Sequence, residues 1–90
     1  MNTHDKTIAR VLTVVDGTTE EVVEIIEFKV FDLGSFAQQL DVPVQYDPDM
    51  LDRYAVGPDD VAFVQQHLAS EVAFDFSAYG YFIEAYNRDS

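Results

Sequence analysis

The stretch Ile8-Ala-Arg-Val-Leu-Thr-Val-Val15 decides the fold. It is dense in β-branched and aliphatic side chains, which suit a pleated surface. Asp16-Gly17 follows, a dipeptide that readily takes the positive φ angles of a tight hairpin turn. Beyond it, Thr18 to Phe31 carries Val22, Val23, Ile25, Ile26, Phe28, Val30 and Phe31. Together these predict a β-hairpin, 7–15 against 18–31. In its second arm Val22, Ile26, Phe28 and Val30 share one face with Glu24, while Glu21 and Glu27 lie on the other with Val23, Ile25, Lys29 and Phe31. The same arm also fits a helix, with Val22, Ile25, Ile26 and Val30 at helical spacing and Thr19 as a cap for Glu20 and Glu21. The β-branched density favours the strand.

Working outward, Gly34-Ser35 ends this arm, and Ser35 is placed to cap a short helix over Phe36–Leu40. Asp41 to Tyr46 reads as extended, because Pro43 biases Val42 away from helix. Two helix starts follow. Asp47-Pro48-Asp49 and Gly57-Pro58-Asp59-Asp60 each offer a cap, a proline at the first helical position and acids in the first turn. The first helix would turn Met50, Leu51, Tyr54 and Ala55 inward and end at Gly57; the second would run 58–70 on Val61, Val64 and Leu68. Val72, Phe74 and Phe76 alternate with Ala73 and Asp75, predicting a strand over 71–76. A second strand is expected over 80–87, with Tyr79, Tyr81, Ile83 and Ala85 on one side; helical spacing (Tyr79, Phe82, Ile83, Tyr86) competes, at a Gly80 penalty of about 1 kcal/mol relative to Ala. The expected architecture is a small single α+β domain: an N-terminal β-hairpin, two or three short helices, and a C-terminal strand pair in an antiparallel sheet.

Composition limits the function. The chain has 90 residues, with 17 Asp and Glu against 5 Lys and Arg, a formal net charge of -12. Zero Cys excludes disulfides, thiolate zinc sites and a Cys nucleophile. No apolar run approaches the roughly 18 residues of a membrane span. The start Met1-Asn2-Thr3-His4-Asp5-Lys6 lacks the pattern of a signal peptide, so a cytoplasmic location is expected. Nucleic acid and anionic membranes are both poor partners, because binding either depends on Lys and Arg, and none occurs between Arg53 and Arg88. Seven Phe and five Tyr argue against disorder.

Motifs for chemistry are lacking. Counted from Asp47, a calcium loop would need Gly and Glu where Asp52 and Pro58 stand. His4 and His67 do not form a ligand pair, and capping explains Ser35 better than a nucleophile does. The four glycines are dispersed, so no phosphate loop exists. Carboxylates abound, but none is singled out for acid–base work. The expectation is a protein that is not an enzyme and carries no metal and no cofactor.

The acids fall into two clusters. One is Glu20, Glu21, Glu24 and Glu27; the other is Asp41, Asp47, Asp49, Asp52, Asp59 and Asp60, with Arg53 as its cation and Asp49 as that residue's helical partner. Twelve surplus charges exceed the roughly 2–8 that keep a small domain soluble. Alternate carboxylates on a strand would stand about 6.6–6.8 Å apart, close to the separation of neighbouring phosphates. In size and charge, over its whole length, the chain resembles phage-encoded nucleic-acid mimics that inhibit restriction enzymes or CRISPR complexes, and small acidic immunity proteins that neutralise basic nucleases. That resemblance implies an inhibitor or interaction protein whose partner is the basic, nucleic-acid-binding surface of another protein, with both acid clusters as contacts. The alternatives are adaptation to high salt, which eleven Asp and only two Lys suit, and a structural or homodimeric role for the aromatic tail through Tyr79, Tyr81 and Tyr86.

Overall fold

The computed structural model describes residues 8–87. Thr7, His4 and the other residues outside that range lie beyond the described part. The sheet is built on β1 (Ile8–Asp16), which pairs on both sides. β2 (Val22–Glu27) lies antiparallel on one side and β4 (Tyr79–Asn87) antiparallel on the other. β3 (Tyr54–Ala55) adds to the far edge of β4, giving the order β2-β1-β4-β3. Two short helices, α1 (Leu33–Gln39) and α2 (Val61–His67), complete an α+β domain. Among the described residues, no helix is long and apolar enough to cross a membrane.

One face of the sheet carries the core. Leu12 and Val14 of β1, Ile26 of β2, and Tyr81 and Ile83 of β4 pack against Phe36, Ala37, Val42, Met50, Val56, Val64 and Leu68. At its centre is Phe36 of α1, whose ring meets Phe31 (4.2 Å), Phe63 (4.8 Å), His67 (4.9 Å) and Phe28 (5.2 Å). Tyr79, Tyr81, Ile83 and Ala85 share one side of β4, as the alternation predicts.

The hairpin turn differs from the expected one. Gly17 does not take a positive φ; Glu20 does, at 64°. The chain needs five residues to turn, because the Asp16 carboxylate accepts the backbone N–H groups of Thr18 (2.7 Å) and Thr19 (2.9 Å) and opens the loop as an Asx turn. Gly17 is required for closeness instead: a Cβ there would stand 2.9 Å from the carbonyl oxygen of Ala78. The second arm is also shorter than 18–31. The register slips by one residue between Val14 and Val15, leaving Val23 as a bulge, and the ladder ends at Glu27.

Three further expectations fail for identifiable reasons. Helix α1 begins at Leu33, three residues before the expected start, with Asp32 at its N-cap; Ser35 sits inside it and donates its hydroxyl to Asp32 Oδ2 at 2.8 Å. No helix forms over 50–55. Met50 takes a left-handed φ of 52° and is buried, after which Tyr54 and Ala55 pair with Ile83 and Phe82 of β4. A helix of one and a half turns is marginal on its own, so burial of Met50 and Val56 with a strand pairing wins. Residues 71–76 are not a strand, so β4 has no C-terminal partner from that segment. The Val72 N–H bonds Gln65 Oε1 (3.0 Å) and the Asp75 N–H bonds the Tyr81 hydroxyl (2.8 Å), so side chains satisfy donors that a ladder would have used. The expected helix 58–70 is real but shorter: a 3-10 turn over Pro58–Asp60 leads into α2, which ends at His67.

Candidate partner-binding surface

Two of the six carboxylates in the Asp cluster, those of Asp47 and Asp60, hold the fold; Asp41 and Asp49 contribute through their backbone. Asp41 has φ 56° just past α1; its N–H bonds the Gln38 carbonyl (3.3 Å) and the Val42 N–H bonds that of Ala37 (2.9 Å). This is a Schellman stop with Asp in the place usual for Gly. The Asp47 carboxylate accepts the N–H groups of Leu51 (2.8 Å) and Asp52 (3.0 Å) and the hydroxyl of Tyr54. The Tyr54 hydroxyl, followed by those two amides, holds the Asp47 carboxyl below the usual carboxylate range, and the same bond pushes Tyr54 up to about 12. Asp60 accepts from the Gly57 N–H (2.9 Å) and from Gln39 Nε2 (2.8 Å). Asp49 gives its carbonyl to Arg10 Nη2.

Arg10, not Arg53, is therefore the cation of this loop. Its guanidinium lies 5.2 Å from the Phe31 ring centre, and burial pulls its pKa below the ordinary value against the opposing pull of Asp49 and Asp47. Arg53 does not pair with Asp49, because no helix brings them together. It lies 3.8 Å over the Phe82 ring and bonds Glu84 at 3.2 Å, the only ion pair among the described residues. Asp52 and Asp59 remain exposed.

The Glu cluster is the opposite case. None of the carboxylates of Glu20, Glu21, Glu24 and Glu27 meets a hydrogen-bond donor or a cation among the described residues, and all four residues are exposed. They lie in the turn and along β2, at the edge of the sheet. Glu24 opposes Val14 and so points to the helix-bearing face; Glu27 opposes Val11 and points to the other. Glu21 precedes the strand. The regular row of alternate carboxylates is thus absent, and the charge forms a rim around the edge rather than a phosphate-spaced line.

Beside this edge lies a cleft of about 380 Å³ between β2 and residues 71–73. Val23 and Glu24 line one wall, Glu71 and Val72 the other, with Tyr79 and Tyr81 at the floor. Glu71 carries no sequence signal for this role, since only the departure of 71–76 from the sheet puts it opposite Glu24. Of the three tail tyrosines, Tyr81 is 3% exposed and belongs to the core, whereas Tyr79 (37%) and Tyr86 (46%) reach the surface on opposite faces of β4. His67 is half-buried against Phe36 and Phe63, and its Nδ1 donates to the Phe63 carbonyl (2.8 Å), a packing role. No group of three or more His, Asp and Glu among the described residues is placed to hold a metal ion.

No curated protein and no solved structure matches the chain. Residues 9–84 match a family profile that spans nearly all of β1, the whole of β2, β3 and both helices, and most of β4. On that match the chain belongs to the family described as Domain of unknown function (DUF7683).

Proposed function

We propose that the protein is a non-enzymatic binding partner, acting as an inhibitor, that docks onto a basic surface of a nucleic-acid-binding protein in the cytoplasm. The observation that carries this reading is the rim of Glu20, Glu21, Glu24 and Glu27, four exposed carboxylates at one sheet edge with no internal partner among the described residues. Unpaired surface charges of one sign cost stability through mutual repulsion, and they steer a partner of opposite sign. The Asp cluster supplies less to such a contact, because the Asp47 and Asp60 carboxylates are bonded within the chain and Arg10 offsets the charge of Asp47 and Asp49.

The test is capture of a basic nuclease or a CRISPR effector by the immobilised protein, repeated from about 50 to about 500 mM NaCl. Replacing the four glutamates by Gln should slow association at low salt by about tenfold or more. Replacing Asp52 and Asp59 should do much less. Capture that is absent, or indifferent to both salt and the glutamates, removes the proposal.

A second reading is favoured by the sheet face away from the helices, which carries Val22 (55% exposed), Ile25 (61%) and Tyr86 (46%). On this reading copies of the chain pair through that face. Light scattering that shows a dimer dispersed by Ile25→Lys or Tyr86→Lys supports it, and a monomer at high concentration ends it.

A further inference from the structure

The edge of β2 is already used once by this chain. The Lys29 N–H donates to the His67 carbonyl (2.9 Å), the Ala69 N–H donates to the Glu27 carbonyl (3.0 Å), and Phe28 faces Leu68 in an antiparallel bridge. Residues 67–69 thus begin a fifth strand beside β2. The chain then veers away at Ser70, whose carbonyl is held by Gln65 Nε2 at 3.1 Å, and residues 71–73 become the far wall of the cleft. Because the Glu27 carbonyl points outward, antiparallel alternation turns the N–H and C=O of Ile25 outward as well. That length of edge has no backbone partner among the described residues, and its side chains Val22, Val23 and Ile25 are more than half exposed.

We propose that the uncovered length of β2 receives an extended, basic segment of a partner protein as an added antiparallel strand, with one Lys or Arg side chain seated between Glu24 and Glu71. The proposal rests on the reading given under Proposed function and specifies how that contact is made. Three observations choose this occupant. The ladder started by 67–69 fixes the direction in which an added strand continues. Residues of that strand opposite Glu24 point to the helix-bearing face and into the cleft, where two carboxylates and the ring of Tyr79 suit a cation; residues opposite Ile25 point to the other face and suit an apolar side chain. A second copy of this chain is a poor occupant, because it would bring Glu21, Glu24 and Glu27 against their own counterparts.

The test uses the full chain and a short synthetic peptide alternating Lys and Val. A twin peptide carries N-methyl groups on the amides of one edge, which removes the strand-forming donors without changing charge. The plain peptide is expected to bind and to shift the backbone amide resonances of Val23 to Glu27. The methylated twin should bind at least about tenfold more weakly, and the E24Q/E71Q double variant should weaken the plain peptide about fivefold. Equal affinity for the two peptides, or failure of the plain peptide to bind by about 1 mM, overturns strand addition. If capture of the basic protein persists in either case, the charge reading survives alone; if capture is lost too, both fall. A dimer that Ile25→Pro disperses assigns the edge to a second copy and also overturns the proposal.

Discussion

Replacing Phe36 tests the account of the core most severely. The ring is fully buried and meets four other rings: Phe63 and His67 of α2, and Phe28 and Phe31 from the segment after β2. Phe36→Ala removes the largest fully buried side chain and leaves a cavity that rings on three sides cannot easily fill. A loss of about 3–5 kcal/mol is expected. A 90-residue domain has only about 5–13 kcal/mol in total at the usual stability per residue. The variant should therefore melt about 15–30 °C lower. Phe36→Leu keeps most of the volume but loses the edge-to-face contacts, and should cost about 1–2 kcal/mol. The assay is urea unfolding followed by far-UV circular dichroism and tyrosine fluorescence, which no Trp obscures. A loss below about 1.5 kcal/mol for Phe36→Ala, at an unchanged denaturant slope, would refute the claim that this ring joins the helices to the sheet.

Other outcomes follow from single contacts. Gly17→Ala places a Cβ 2.9 Å from the Ala78 carbonyl oxygen and should cost about 1–3 kcal/mol, whereas Gly34→Ala, with nothing nearer than Asp32 Oδ1 at 3.9 Å, should be neutral or stabilising by up to about 1 kcal/mol; thermal melts compare the two. Asp16, Asp47 and Asp75 have depressed pKa values, so the stability they contribute is present above the ordinary carboxylate pKa and is lost as pH falls through their folded values. Melting temperature should fall below about pH 4, and Asp47→Asn should flatten that fall. Tyr54 titrates at about 12, so its contribution is complete below the ordinary phenol value near 10 and is lost as pH rises toward 12. Ultraviolet titration should show a late tyrosine step for Tyr54 that Asp47→Asn moves to lower pH.

The parts of the fold that were readable lie where one segment determines its own state. The β-branched run of β1, the period of α2 and the alternation of β4 each needed only neighbouring residues. Asp47-Pro48-Asp49 misled because the same carboxylate–amide bonds that start a helix also close a turn; Met50, a non-glycine in the left-handed region, gives no advance sign of itself. Val72, Phe74 and Phe76 do alternate, but the partner that a strand requires is distant in sequence, and Tyr81 and Gln65 took the donors instead. Within the site, counting acids found both clusters. It did not separate them, because whether the Asp47 carboxylate faces a partner or closes a turn depends on the amides of Leu51 and Asp52 and on the Tyr54 hydroxyl. Which strand becomes an edge is set by the strand order, and that Glu24 and Glu71 share a cleft is set by the departure of 71–76 from the sheet.

The strand order also has a consequence for synthesis. The longest ladder joins Ile8 to Asn87, so β1, made before the other described strands, keeps one flank bare until almost the last described residue has left the ribosome. Through that interval the emerging chain presents Val11, Leu12, Val14 and Val15 without their final cover. Contacts this far apart in sequence form slowly and leave time for strands of neighbouring nascent chains to meet. Mutual repulsion between strongly anionic chains opposes that encounter before any folded surface exists. With or without a partner, a net charge of -12 works against the meeting of unfinished chains.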